Sequence, residues 1–242
     1  MRFLLVMLLL AAALGRPALA ADKPEPYTIA IFGDSLAAGI ADGLMHVLKN
    51  DGKIRVLRRA KPATGLTRVD VFNWQTRLEE VTAADRFDAA IVLMGTNDRQ
   101  PVFLDSFRSV PFGTDEWNRL YRERAEAFAE HLARRGIWVI WAGLPAMQNA
   151  NFNKGMRHID GIYKKLADKR CVTYVSLYEK TVDGRGNFLA SGADIQGRQR
   201  VLRQNDGIHF TMPGYDILAK AVVDAMRADV VGCDKSSPFA SR

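Results

Sequence analysis

Four short polar stretches, far apart in the chain, hold the residue types that acyl chemistry needs. Gly33-Asp34-Ser35 closes the apolar run Ile29-Ala30-Ile31-Phe32. A serine hydroxyl becomes a nucleophile only when a base takes its proton. The chain offers four histidines, His46, His131, His158 and His209. The first three fall inside helical patterns, where a packed or solvated ring is the expected role. His209 falls in a loop, three residues after Asp206. That spacing lets a carboxylate meet the imidazole Nδ1–H, orient the ring and stabilise the imidazolium formed when Nε2 accepts the serine proton. The oxyanion that develops needs preorganised donors. The Ser35 N–H at a helix N-terminus, the Gly65 N–H and the Asn97 side-chain amide are the candidates. Taken singly these signals are common. A loop glycine marks a turn and an asparagine caps one, while Asp206 with His209 would be a metal pair lacking a third ligand.

The elements that must position these groups follow from hydropathy. Tyr27 to Phe32 is a continuous apolar run and reads as a buried parallel strand. Ser35 to Asn50 reads as a helix with Leu36, Ile40, Leu44, Val47 and Leu48 on one stripe. Lys53 to Arg59 reads as a second strand leading into the loop around Gly65. Val71 to Ala83 reads as helical. Asp88 to Met94 is the strongest strand signal, and it ends in Gly95-Thr96-Asn97-Asp98. Residues 99–115, with Pro101, Pro111 and Gly113, read as an excursion forming a lid or wall. Glu116 to Arg135 reads as a helix, Ile137 to Ala142 as a fourth strand, Asn151 to Lys169 as a helix and Cys171 to Leu177 as a fifth strand. Asp183 to Asn205 reads as a long loop, and Pro213 to Val230 as the final helix, with proline at its start. Five strand–helix alternations predict an α/β fold with a five-stranded parallel sheet covered on both faces. Ligands of such sheets bind beyond the carboxyl ends of the strands. All four polar stretches are expected at that one edge.

Composition bounds the class. The chain has 242 residues, 48% hydrophobic and 25% charged, which suits one globular domain. Met1-Arg2, the apolar run from Phe3 to Leu14 and Ala18-Leu19-Ala20 form a secretory signal pattern over residues 1–20. The run is shorter than the ~20 residues of a membrane span. Residues 21–233 are expected to form one domain and 234–242 a disordered tail. Removing Arg2 and Arg16 takes the formal charge from +7 to +5, spread along the chain. A nucleic-acid partner is therefore disfavoured. Cys171 and Cys233 lack CxxC spacing, so neither a zinc nor a redox site is expected. In an exported protein they are expected to form one disulfide, worth about 4 kcal/mol on the chain-entropy model. Two separate thiols are the alternative.

With these blocks in order, the chain resembles the SGNH hydrolase superfamily, also called GDSL-type esterases and lipases. The match lies in Gly33-Asp34-Ser35-Leu36, Gly65, Gly95-x-Asn97-Asp98 and Asp206-x-x-His209, and the blocks span residues 29–216. The resemblance implies a flavodoxin-like three-layer α/β/α sandwich and hydrolysis of esters without metal or cofactor. It implies Ser35 as nucleophile, His209 as base and Asp206 as its partner, with Ser35, Gly65 and Asn97 lining the oxyanion hole. No Gly-x-Ser-x-Gly elbow occurs, so the α/β-hydrolase fold is disfavoured. A narrower likeness, to an exported bacterial branch of unassigned function, rests on Lys61-Pro62-Ala63-Thr64-Gly65-Leu66, Met94 to Gln100, Trp141 to Pro145 and Asp206 to Thr211.

Related envelope proteins often act on O-acetyl groups of polysaccharide or peptidoglycan. The expected function is thus a periplasmic or secreted serine esterase acting on acylated carbohydrate, peptidoglycan or small esters. An O-acyltransferase using the same acyl-enzyme and a non-catalytic binding module are the alternatives. Arg99 is a candidate for meeting an anionic substrate, with a solvated or salt-bridged arginine as the other reading. Trp74, Trp117 and Trp141 read as core residues, with a sugar-stacking wall as the alternative.

Overall fold

The computed structural model describes residues 26–105, 108–168 and 171–228. The expected signal peptide, the tail from 234 and Cys233 lie outside the described residues. The chain alternates strand and helix as its hydropathy predicts. The order is β1 (Tyr27–Gly33), α1 (Ser35–Val47), β2 (Ile54–Arg58), α2 (Trp74–Ala84), β3 (Ala89–Leu93), β4 (Val102–Asp105), β5 (Arg108–Val110), α3 (Asp115–Ala133), β6 (Trp138–Ala142), α4 (Ala150–Tyr163), β7 (Val172–Val175), β8 (Ser191–Ala193), β9 (Gln199–Val201) and α5 (Met212–Ala228).

The main sheet runs β2-β1-β3-β6-β7, and every pairing is parallel. Every residue of β1, β3 and β6 is buried, so both sheet faces are covered. That explains why these strands read as unbroken apolar runs. On one side α1 packs on α5, and elsewhere α3 packs on α2 and α4. Gly39 and Gly43 of α1 leave the space that Tyr215 of α5 fills. This close approach brings the segment before α5 towards the start of α1. Trp74, Trp117 and Trp141 are buried, at 2%, 0% and 0% exposure, which makes them core and removes the sugar-stacking alternative.

The strand order changes direction between β1 and β3, the topological switch point of an open sheet. β1 ends in Gly33 at φ +134°, where a Cβ would stand 1.7 Å from the Leu93 carbonyl oxygen of β3. Only glycine lets the two strand ends run this close.

Two segments carry more structure than their sequence suggests. Residues 99–115 contain the antiparallel pair β4–β5, with Val102 opposite Val110. Both valines are buried, so this part is a wall anchored to the core. The stretch from Asp183 to Asn205, read as a loop, contains the hairpin β8–β9. Its strands are three residues each and mostly exposed, so they carry no apolar pattern to read. The helix read from Asn151 to Lys169 ends at Tyr163 and tightens into a 3₁₀ turn over Lys164–Asp168. Cys171 is one half of a disulfide.

Candidate functional site

Ser35 is the first residue of α1. Asp34 caps that helix, its Oδ1 accepting the Leu36 N–H at 3.0 Å. The Ser35 N–H, one of the orphan donors of a helix start, meets no protein acceptor among the described residues. The same carboxylate of Asp34 also receives the Thr96 N–H at 3.1 Å and the Thr96 hydroxyl. Asp34 is fully buried and so ties the end of β1 to the loop after β3. Burial pushes its carboxyl up to about 6, against the donors from Thr96 and Leu36 that favour the charged form.

His209 and Asp206 sit in the turn before α5. The His209 ring spans the gap to Ser35, with Nε2 at 2.8 Å from Ser35 Oγ and Nδ1 at 2.6 Å from Asp206 Oδ2. Asp206 Oδ1 accepts the backbone N–H groups of Ile208 and His209 at 2.8 and 2.9 Å. Partial burial alone would raise the Asp206 carboxyl, but the bonds from the His209 ring and these two amides together hold it at about 2. An ionised carboxylate only accepts, so Nδ1 carries the proton and Nε2 presents its lone pair to the serine.

Gly65 and Asn97 face the same edge. Asn97 Nδ2 donates to the Thr64 carbonyl at 2.9 Å, which spends one amide hydrogen on holding the Gly65 loop and leaves the other free. The Gly65 N–H has no protein acceptor among the described residues. A Cβ on Gly65 would stand 2.1 Å from Asp98 Oδ1, so glycine here is a matter of space. Asp98 is completely buried. It accepts from Leu66 N at 2.9 Å, Thr67 N at 3.0 Å, Thr67 Oγ1 at 2.7 Å and the Tyr121 hydroxyl at 2.8 Å. The Arg124 guanidinium adds bonds to the Leu66, Thr67 and Phe103 carbonyls, clamping the loop to the β4–β5 wall.

Sequence reasoning passed over Asp34, Thr96, Asp98 and Arg203 as positioning groups. Asp34 had a usable signal, since aspartate before an apolar helical stripe marks an N-cap. Arg203 had none. It is 3% exposed, lies over the rings of Phe188 and Phe210, and donates to the carbonyls of Ala146, Gly207 and Ile208 at 2.7, 3.2 and 3.0 Å. It therefore ties the loop after β6 to the turn that carries Asp206 and His209. Burial draws its guanidinium down to about 10. The other three histidines stand apart: His46 pairs with Asp216, His131 with Thr82 and His158 with Asn118.

A parallel sheet in this order, flanked by helices, is a fold shared with solved GDSL-like lipases and esterases. Solved structures agree on the fold. An acetyl xylan esterase superposes with TM-score 0.60 at 17% identity, over 82% of this chain and 98% of its own. A GDSL-like lipase from Bacteroides thetaiotaomicron gives 0.57 at 17%, over 83% and 88%. An acetyl-xylooligosaccharide esterase from Geobacillus Stearmophilus gives 0.55 at 17%, over 84% and 94%. No curated protein matches the sequence. Within this architecture the chain belongs to a family described as a protein of unknown function (DUF459), whose model matches residues 28–225.

Proposed function

We propose that the protein is an exported serine esterase that removes O-acyl groups, chiefly O-acetyl, from carbohydrate or peptidoglycan of the cell envelope. The observation that carries this reading is the unbroken chain Asp206–His209–Ser35, with contacts of 2.6 and 2.8 Å. His209 Nε2 takes the Ser35 hydroxyl proton as Oγ attacks the acyl carbonyl. The oxyanion is met by the N–H groups of Ser35 and Gly65 and the free amide hydrogen of Asn97. Collapse of the tetrahedral species expels the alcohol, which takes the proton back from His209. Water then enters by the same route and releases the acid. Asp206 stays ionised throughout and stabilises the imidazolium. The signal pattern at residues 1–20 supports export, and the fold shared with carbohydrate acetylesterases supports the substrate class.

The test is hydrolysis of a short-chain aryl acetate by the purified protein and by Ser35→Ala. Parent turnover that falls by three or more orders of magnitude in the variant is the expected result. Equal rates would end the serine-esterase reading. Incubation with acetylated polysaccharide and peptidoglycan, scored for free acetate against acetyl transferred to a second glycan, then separates hydrolysis from transfer.

A further inference from the structure

A cleft of about 420 Å³ opens beside Gly65 and Asn97, and Arg68, Arg99, Gln100 and Phe72 also line it. Its two cations differ. Arg68 is neutralised, because Nε and Nη2 donate to the Asp70 carboxylate at 2.8 and 2.7 Å. Arg99 makes no ion pair among the described residues. Its Nη2 donates to the neutral Asn151 Oδ1 at 3.1 Å. No aspartate or glutamate is among the residues that line the cleft. A guanidinium has five N–H donors in a planar fork, and this one keeps most of them for a ligand.

Arg99 is exposed and yet held in place. Its aliphatic stem runs over Gly155 of α4, where a Cβ would stand 2.4 Å from Arg99 Cδ. Glycine inside a helix is unfavourable relative to alanine. At this position the missing side chain is what seats the arginine. The stem is fixed by Gly155, the head is steadied by Asn151, and the residue two places before Arg99 is the oxyanion-donor candidate Asn97.

We propose that Arg99 binds a carboxylate carried by the ester substrate, so that the protein selects esters of anionic molecules. The inference rests on the esterase reading of Ser35. A carboxylate matches the guanidinium fork in two parallel hydrogen bonds, and the apolar Phe72 in the same cleft suits the linking carbons. The carboxylate belongs either to the alcohol part, as in an acetylated uronic acid, or to the acyl part, as in a half-ester of a dicarboxylic acid.

Two matched ester pairs distinguish these sources. In one, 3-acetoxybenzoate is compared with its methyl ester. In the other, mono-4-nitrophenyl adipate is compared with 4-nitrophenyl hexanoate. The expected result is a kcat/KM preference for the anionic member of one pair, which identifies the side. Arg99→Gln lowers that preference about tenfold or more, because a charge-assisted bidentate contact is lost. Arg99→Lys keeps part of it. Gly155→Ala folds, since a helix favours alanine, but displaces the arginine stem and lowers the same preference. No preference in either pair, or a preference unchanged by Arg99→Gln, overturns the proposal. Turnover of neutral esters that depends on Ser35 but shows no anion preference removes this inference alone. Should the parent hydrolyse no ester, the esterase reading fails and the carboxylate site is read by itself. Titration of the Ser35→Ala protein with adipate, followed by the ¹⁵N signals of arginine Nε, must then shift a signal that Arg99→Gln removes. Absence of that shift overturns the site as well.

Discussion

Gly65→Ala isolates the brace beneath the proposed oxyanion hole. The new Cβ would stand 2.1 Å from Asp98 Oδ1, 2.5 Å from Cγ and 2.6 Å from Oδ2. Ordinary contact begins near 3.4 Å, so about 1.3 Å must be found. The carboxylate cannot supply it cheaply, because Leu66 N, Thr67 N, Thr67 Oγ1 and Tyr121 all donate to it in a fully buried site. The Gly65 backbone yields instead. That carries away its own N–H and disturbs the Thr64 carbonyl that orients the Asn97 amide. Misplacing a positioned group by about 1 Å costs about 100-fold in rate, and losing one oxyanion donor costs about 10²–10³-fold. We expect kcat on an aryl acetate to fall by at least about 100-fold. Overpacking of this kind costs about 1–3 kcal/mol, a loss of roughly 2–12 °C in Tm for a domain of this size. Gly161→Ala is the control. It lies in the same class of substitution, on α4, where a Cβ meets nothing within 4 Å. There alanine should stabilise by about 0.4–1 kcal/mol and leave kcat alone. A Gly65→Ala protein with kcat within threefold of the parent and an unchanged Tm would show that Asp98 does not brace Gly65.

Three further outcomes follow from the same geometry. Asp206→Asn places an amide where an acceptor held the Nδ1 proton, so the ring turns the wrong tautomer to Ser35. Turnover should fall about 10⁴-fold with the fold intact, and a loss under tenfold would exclude Asp206 from orienting the base. Arg203→Lys should not rescue what Arg203→Met loses, because an ammonium cannot serve three carbonyls while stacked between Phe188 and Phe210. Denaturant titration should show both variants losing a few kcal/mol, and a lysine variant as stable as the parent would count against the fork. Asp34 makes stability depend on pH. Its folded carboxyl lies near 6 against 3.8 for the free group, so the folded state holds the extra proton between those values. Stability therefore rises as pH falls from about 6 towards 4, by up to roughly 3 kcal/mol from this group alone. Comparing unfolding free energies of the parent and Asp34→Asn from pH 4 to 7 tests it. Identical slopes would show that Asp34 does not titrate there.

Much of the frame was legible in the residues. The unbroken apolar runs at Tyr27–Phe32, Asp88–Met94 and Ile137–Ala142 read as buried strands because both sheet faces are covered, and the structure has β1, β3 and β6 there. Element ends were less legible. The helix read to Lys169 tightens into a 3₁₀ turn after Tyr163, and residues 164–168 hold no proline or glycine to mark that change. The hairpins β4–β5 and β8–β9 escaped because their strands are only three or four residues long and mostly not fully buried. A short strand on the outside has no hydrophobic period to show.

The sequence by itself determined the alternation of strand and helix, and with it the edge where Ser35, Gly65, Asn97 and His209 would gather. It also determined the Asp206–His209 pair, which is local and closed by a turn of three residues. The tertiary structure decided everything that joins distant segments. It set the 2.8 Å contact between Ser35 and a histidine 174 positions away. It buried Asp34 and Asp98 as the pins between loops, and it threaded Arg203 beneath the His209 turn. Hydropathy period and helix capping are written within a few neighbouring residues. The partner of a buried polar group is fixed only when separate elements have packed and left it no water to bond.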